Sequence, residues 1–179
     1  MSGRRWRRMA TRVLNDWLVQ LHTGPWRRLD GWRPMRVGQP LDVVVVVPDA
    51  VHVWVVPRRS DIAEDYCVRG IADRVTVVVP EREVPAIAAA VPQTYGVLAV
   101  GTVAGNPVML EIRAAARLET SNAAALGELL GRDELAAGLA RLGRRVSPFS
   151  IRSDLLSEVL DVLPPDLARE WILQTLISG

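Results

Sequence analysis

The chain has 179 residues, 49% of them hydrophobic and 23% charged, with a formal net charge of +2. That is enough apolar material for one buried core, either one domain or one domain with a small helical appendage. A lone Cys67 excludes a disulfide framework and a thiolate metal cluster, and no run reaches the roughly 18 apolar residues of a membrane helix.

Charge is unevenly placed. Residues 1–36 hold nine arginines (Arg4, Arg5, Arg7, Arg8, Arg12, Arg27, Arg28, Arg33 and Arg36) against Asp16 and Asp30, a net of +7. The other thirteen arginines face eighteen carboxylates, a net of −5, and the chain contains no lysine. A basic arm on an acidic body points to an anionic partner, or to a negatively charged protein surface. The basic start has no apolar stretch behind it, so a secretory signal is not expected and a cytoplasmic location is.

In chain order, residues 4–22 read as an amphipathic helix with Trp6, Met9, Val13, Trp17 and Leu21 as its apolar stripe. Residues 23–40 are rich in Gly and Pro and read mostly as loop. Val43 to Val47 and Val51 to Val56, joined by Pro48-Asp49-Ala50, predict a hairpin. The unbroken apolarity of its first run predicts a strand covered on both faces. A short helix is expected within 61–72, a third strand from Arg74 to Val79, and helix from Glu81 to Val91. Gly96 to Gly101 and Pro107 to Ile112 read as two strands around a Val103-Ala104-Gly105-Asn106 turn.

From about residue 120 the period becomes helical. Leu135, Leu139 and Leu142 share one face, with Asp133 and Glu134 near that helix's start. Ile151 to Leu163 forms another helix on Leu155, Leu156, Val159 and Leu160. Pro164-Pro165-Asp166 opens a last one carrying Leu167, Trp171, Ile172 and Leu176. The expected organisation is a basic helix and loop over 1–40, an α/β core over 41–118, and a helical C-terminal region over 119–179 that caps it.

Four stretches carry a resemblance: Pro40-Leu41-Asp42-Val43-Val44-Val45, Ala72-Asp73-Arg74-Val75-Thr76-Val77-Val78-Val79-Pro80, Val91-Pro92-Gln93-Thr94-Tyr95-Gly96-Val97-Leu98 and Leu129-Leu130-Gly131-Arg132-Asp133-Glu134-Leu135. With the order of elements, they make roughly residues 40–178 resemble the PD-(D/E)XK nuclease superfamily, and within it the small bacterial proteins related to the MmcB family of DNA-repair nucleases. The resemblance implies a restriction-endonuclease-like mixed α/β sheet flanked by helices. It also implies an Asp at one strand start and a Glu-x-Lys in the next, which together hold Mg²⁺ and activate a water.

Asp42 takes the first position, as a remnant of catalysis or simply as a polar strand start. Residues 51–61 contain no glutamate and the chain no lysine. Arg58 or Arg59 could supply charge, but a guanidinium differs from an amine in shape and is always protonated. Asp49, Asp61, Glu64 or Asp65 could reach Asp42 in space, although no spacing favours any of them. The expectation is a degenerate nuclease with no metal, no cofactor and no confident catalytic residue.

Arg5-Trp6-Arg7-Arg8, Trp26-Arg27-Arg28 and Trp32-Arg33 interleave rings with guanidinium groups. Such a surface suits DNA or RNA, with arginines on phosphates and tryptophans on bases. The alternatives are a protein partner or a homo-oligomer, or that Trp6 and Trp17 are core and the arginines a solvated face. Arg4, Arg5, Trp6, Arg7, Arg8, Arg12, Arg27, Arg28, Arg33, Arg36, Arg58 and Arg59 are the candidate contacts. His52, between Val51 and Val53, reads as facing solvent or a polar neighbour rather than as a ligand; with His22 and Cys67 it is too little for zinc. There is no Gly-x-Ser-x-Gly elbow and no Walker loop.

Overall fold

The computed structural model describes residues 3–29, 43–57, 70–119 and 122–178, with side chains from residue 5 onward. Helix α1 spans Gly3–Leu21. Strands β1 (Arg27–Leu29), β2 (Val43–Val47), β3 (Ala50–Val55) and β4 (Arg74–Pro80) follow. A 3₁₀ turn at Glu81–Glu83 leads into α2 (Val84–Ala90), then β5 (Gly96–Val103) and β6 (Asn106–Arg113). The chain ends in α3 (Ala123–Gly127), α4 (Arg132–Arg141), α5 (Arg152–Val162) and α6 (Pro165–Ser178). The helix expected within 61–72 falls almost wholly outside the described residues.

All six strands form one mixed sheet in chain order, β1 to β6. β1, β2 and β3 are antiparallel neighbours, β3, β4 and β5 run parallel, and β6 returns antiparallel. Register follows the side-chain alternation: Val45 lies opposite His52, Val53 opposite Val75, and Val77 opposite Val97. The β5–β6 turn places Ala104 (φ 49°) and Gly105 (φ 82°) in the left-handed region, the geometry a two-residue hairpin loop requires.

Both sheet faces are covered, which explains why β2 is apolar at every position. One face sends Val43, Val45, Trp54, Val56, Val78, Leu98 and Val100 against Ala10, Leu14 and Leu18 of α1. On the other, Val44, Val46, Val51, Val53, Val55 and Val75 share a cluster with leucines of α4, α5 and α6. Val77, Val79 and Val97 pack on Ile87 and Val91 around α2. The helical C-terminal region thus shares its core with the sheet.

One side-chain expectation needs correction. The seam of α1 is Ala10-Leu14-Leu18, with Trp6, Met9 and Trp17 flanking it and Leu21 exposed. Residues at i, i+4 and i+8 that are small or aliphatic let the helix lie close to the sheet, and the broad indoles fill its margin. Leu142 and Leu167 are also exposed, because each stands at a helix end beyond the packed stretch. Within the stretch read mostly as loop lies β1, a three-residue edge strand too short to show alternation.

Gly138 marks the closest approach of α4 and α6. A β-carbon there would run into the indole of Trp171. Alanine favours helix over glycine by about 1 kcal/mol, whereas overpacking against a rigid ring costs about 1–3 kcal/mol. Gly138→Ala is therefore expected to lower the thermal midpoint in a calorimetric scan; an unchanged or raised midpoint would show that these helices have slack.

Candidate functional site

The arginines of the N-terminal arm divide into distinct groups. Arg5, Arg8 and Arg12 recur at three- and four-residue steps on the outward face of α1 and are exposed. None of the three guanidinium groups makes a hydrogen bond or ion pair with the described residues. Trp6 turns inward, half-buried against the core beneath α1, so it does not stand beside those guanidinium groups as a stacking platform. Arg7 is half-buried as well.

Arg27 does not join this surface. Its Nη1 donates to Glu134 Oε1 at 2.7 Å and to the Leu176 carbonyl at 2.8 Å, tying β1 to α4 and α6. Arg28 donates to Asn15 Oδ1 on α1. Trp26 packs on the α1 side of the core, 5.8 Å from the His22 ring. The side chain of Arg4, and Trp32, Arg33, Arg36, Arg58, Arg59 and Asp42, lie outside the described residues, as do Asp61, Glu64 and Asp65.

At the carboxyl end of α1 the surface dips into a cleft of about 400 Å³. His22 and Thr23 form one wall, the β2–β3 turn with Asp49 another, and His52, Asp73, Arg74 and Arg117 complete the lining. An adjoining groove shares His52 and Arg74 and continues past Trp17, Thr76 and Leu98. The cleft lies at the amino ends of β3 and β4, opposite to the carboxyl ends where parallel sheets usually bind ligands.

Asp73 holds the cleft's shape. Its side chain is almost fully buried; Oδ2 accepts the Val51 N–H at 2.8 Å, and Oδ1 accepts Arg169 Nη2 at 2.7 Å. Its backbone N–H donates to the Val51 carbonyl at 2.8 Å and its carbonyl accepts the Leu118 N–H at 2.7 Å. These bonds join β3, β4, α6 and the segment after β6, and the last of them brings Arg117 to the rim. Arg74 and Arg117 are exposed, and their guanidinium groups make no hydrogen bond or ion pair with the described residues.

The two histidines meet here, with ring centroids 6.2 Å apart and Trp54 5.4 Å from His52. Burial lowers the pKa of both. For His52 it falls to about 4, chiefly through burial and then through the Arg74 charge and His22, with Asp49 and Asp73 opposing. His52 is thus neutral near pH 7. His22 Nε2 is buried and makes no hydrogen bond with the described residues. Among those residues no group of three or more His, Cys, Asp or Glu could hold a metal ion.

His52, expected to face solvent or a polar neighbour, lines the cleft half-buried, and the sequence assigns no role to Asp73, Arg74 or Arg117. A lone Asp ahead of the apolar β4 run was the available signal, since a buried carboxylate needs a cationic partner. That partner is Arg169, ninety-six positions away and without any local sequence cue.

No family model matches the chain, and neither a curated protein nor a solved structure matches it.

Two outcomes follow from this geometry. Asp73→Ala strands the Arg169 cation and the Val51 N–H, so it is expected to cost about 3–5 kcal/mol in urea unfolding. A loss of under about 1 kcal/mol would contradict the buried ion pair. For His52, the folded pKa lies below the unfolded value of 6.5. Its contribution is therefore fully present above pH 6.5 and is lost as pH falls toward about 4. That loss is on the order of 2 kcal/mol once partial exposure is allowed for. His52→Gln should flatten the decline of stability over this window; parallel declines in both proteins would contradict the burial of a neutral imidazole.

Proposed function

We propose that this chain binds nucleic acid along the outward face of α1 and does not cut it. The carrying observation is the set of three exposed guanidinium groups, Arg5, Arg8 and Arg12, on one face and without protein partners among the described residues. Arginines that serve the fold are engaged with carbonyls or carboxylates: Arg27, Arg113, Arg132, Arg152 and Arg169 each make such bonds. A helix face that leaves its guanidinium groups for solvent is suited to phosphates, each of which releases condensed counterions on contact.

On this reading the contacts are to the backbone of the polymer, so binding is weakly dependent on base identity. The α/β core, with its mixed sheet between α1 and the C-terminal helices, acts as a restriction-endonuclease-like scaffold that has lost cleavage. The absence of a Glu-x-Lys and of any lysine supports the second half of the reading.

A second reading, an adaptor that docks another protein, is favoured by one feature. Phe149 is 90% exposed and Ile151 61% exposed, side by side on the α4–α5 connection. The two readings separate in a mobility-shift titration across a salt series. Three phosphate contacts on duplex DNA give log K a slope of about −2.7 against log salt. Replacing Arg5, Arg8 and Arg12 by Gln is expected to remove roughly that much of the slope. Binding unchanged by the triple substitution, or no binding at low salt, would leave the adaptor reading in its place.

A further inference from the structure

We propose that the cleft between the end of α1, the β2–β3 turn and the start of β4 is a binding site for a phosphate monoester, held by Arg74 and Arg117 and flanked by the imidazoles of His22 and His52. This site is separate from the arginine face of α1 and does not depend on it.

Size, charge and donor chemistry agree. A volume of about 400 Å³ falls in the lower part of the roughly 300–1,000 Å³ range of small-molecule sites. Of the carboxylates lining the cleft, Asp73 is ion-paired with Arg169 and Asp49 lies on the turn. Arg74 and Arg117 supply two forked cations without protein partners among the described residues. Guanidinium forks match the geometry of phosphate oxygens and bind them in bidentate fashion.

The histidines select for a dianion. His52 is faced by Arg74, His22, Asp49 and Asp73. A doubly charged ligand among these groups favours the protonated imidazole, in which both ring nitrogens are donors. A buried, unpartnered imidazole nitrogen is costly to leave unbonded, and His22 Nε2 is such an atom among the described residues. A monoester carries its second charge above a pKa of about 6, unlike a carboxylate or a phosphodiester, which have one. The organic part of the ester has a path into the adjoining groove, whose walls include Trp17, Thr76 and Leu98 together with the charged Glu111 and Arg113.

The ligand is either a free small phosphate ester or the phosphorylated end of a strand. His22 and His52 are the only histidines, so the imidazole C–H region of a proton NMR spectrum reports this cleft alone. Titration with adenosine 5′-monophosphate is expected to move both sets of resonances saturably, toward their protonated positions, while adenosine leaves them in place. Arg74→Gln and Arg117→Gln should each weaken binding about tenfold, with far-ultraviolet dichroism reporting that each variant is folded. A 5′-phosphorylated oligonucleotide that outbinds its 5′-hydroxyl twin assigns the site to strand ends; equal binding of the two assigns it to free esters. Histidine resonances unmoved by the monophosphate, moved equally by adenosine, or insensitive to both arginine substitutions would overturn the proposal. The Arg5, Arg8 and Arg12 triple variant should keep the monophosphate response, so failure of the nucleic-acid reading and failure of this one are distinguishable.

Discussion

The carboxylate of Asp73 sits where four parts of the chain must agree. Both of its oxygens accept hydrogen bonds, from the Val51 N–H and from Arg169, while its own backbone pairs with Val51 and Leu118. A buried charge is tolerated only when it is paired and fully hydrogen-bonded. This requirement sets the stagger of β3 against β4 and draws α6 onto the sheet. It also sends the segment after β6 across the strand ends. The cleft is a consequence: with Asp73 satisfied from within, its neighbours Arg74 and Arg117 are left facing outward.

Arginine does two jobs in this lysine-free chain. One group closes the structure. Arg152 donates to the carbonyls of Gly127 and Leu130, at the end of α3 and just beyond it; Arg132 reaches those of Pro148 and Ser150, and Arg113 those of Pro92 and Tyr95. A planar fork with five donors can satisfy several acceptors at once, which an ammonium on a flexible stem does less well. The other group, Arg5, Arg8 and Arg12 on α1, Arg74 and Arg117 at the cleft, and Arg141 and Arg145 at and just beyond the end of α4, has guanidinium groups that are unengaged among the described residues and face solvent. Net charge alone does not separate these populations; partner geometry does.

The fold was legible where pattern is local. The valine runs of β2, β3 and β4, the turn at Ala104-Gly105 and the prolines before α6 each carry their own signal. All of these elements lie where periodicity and turn chemistry put them. What escaped was set at long range. The seam of α1 shifted from the Trp6–Leu21 row to Ala10-Leu14-Leu18, because hydrophobic spacing identifies a face but not which row fits a sheet. Arg27 read as part of a basic surface until Glu134, 107 positions on, was seen beside it. The cleft was invisible for the same reason: His22, His52, Arg74 and Arg117 are scattered across nearly a hundred residues and meet through the packing of α1 on the sheet, the register of β3 and β4, and the Leu118–Asp73 backbone bond.

On the reading proposed above, phosphates are met by the outward face of α1. Photo-crosslinking to a short oligonucleotide, followed by peptide mapping, reports where the polymer lies. Adducts are expected to concentrate on peptides from residues 3–21. Adducts confined to the sheet edge at β6 or to the α4–α5 connection, or none above background at low salt, would contradict it.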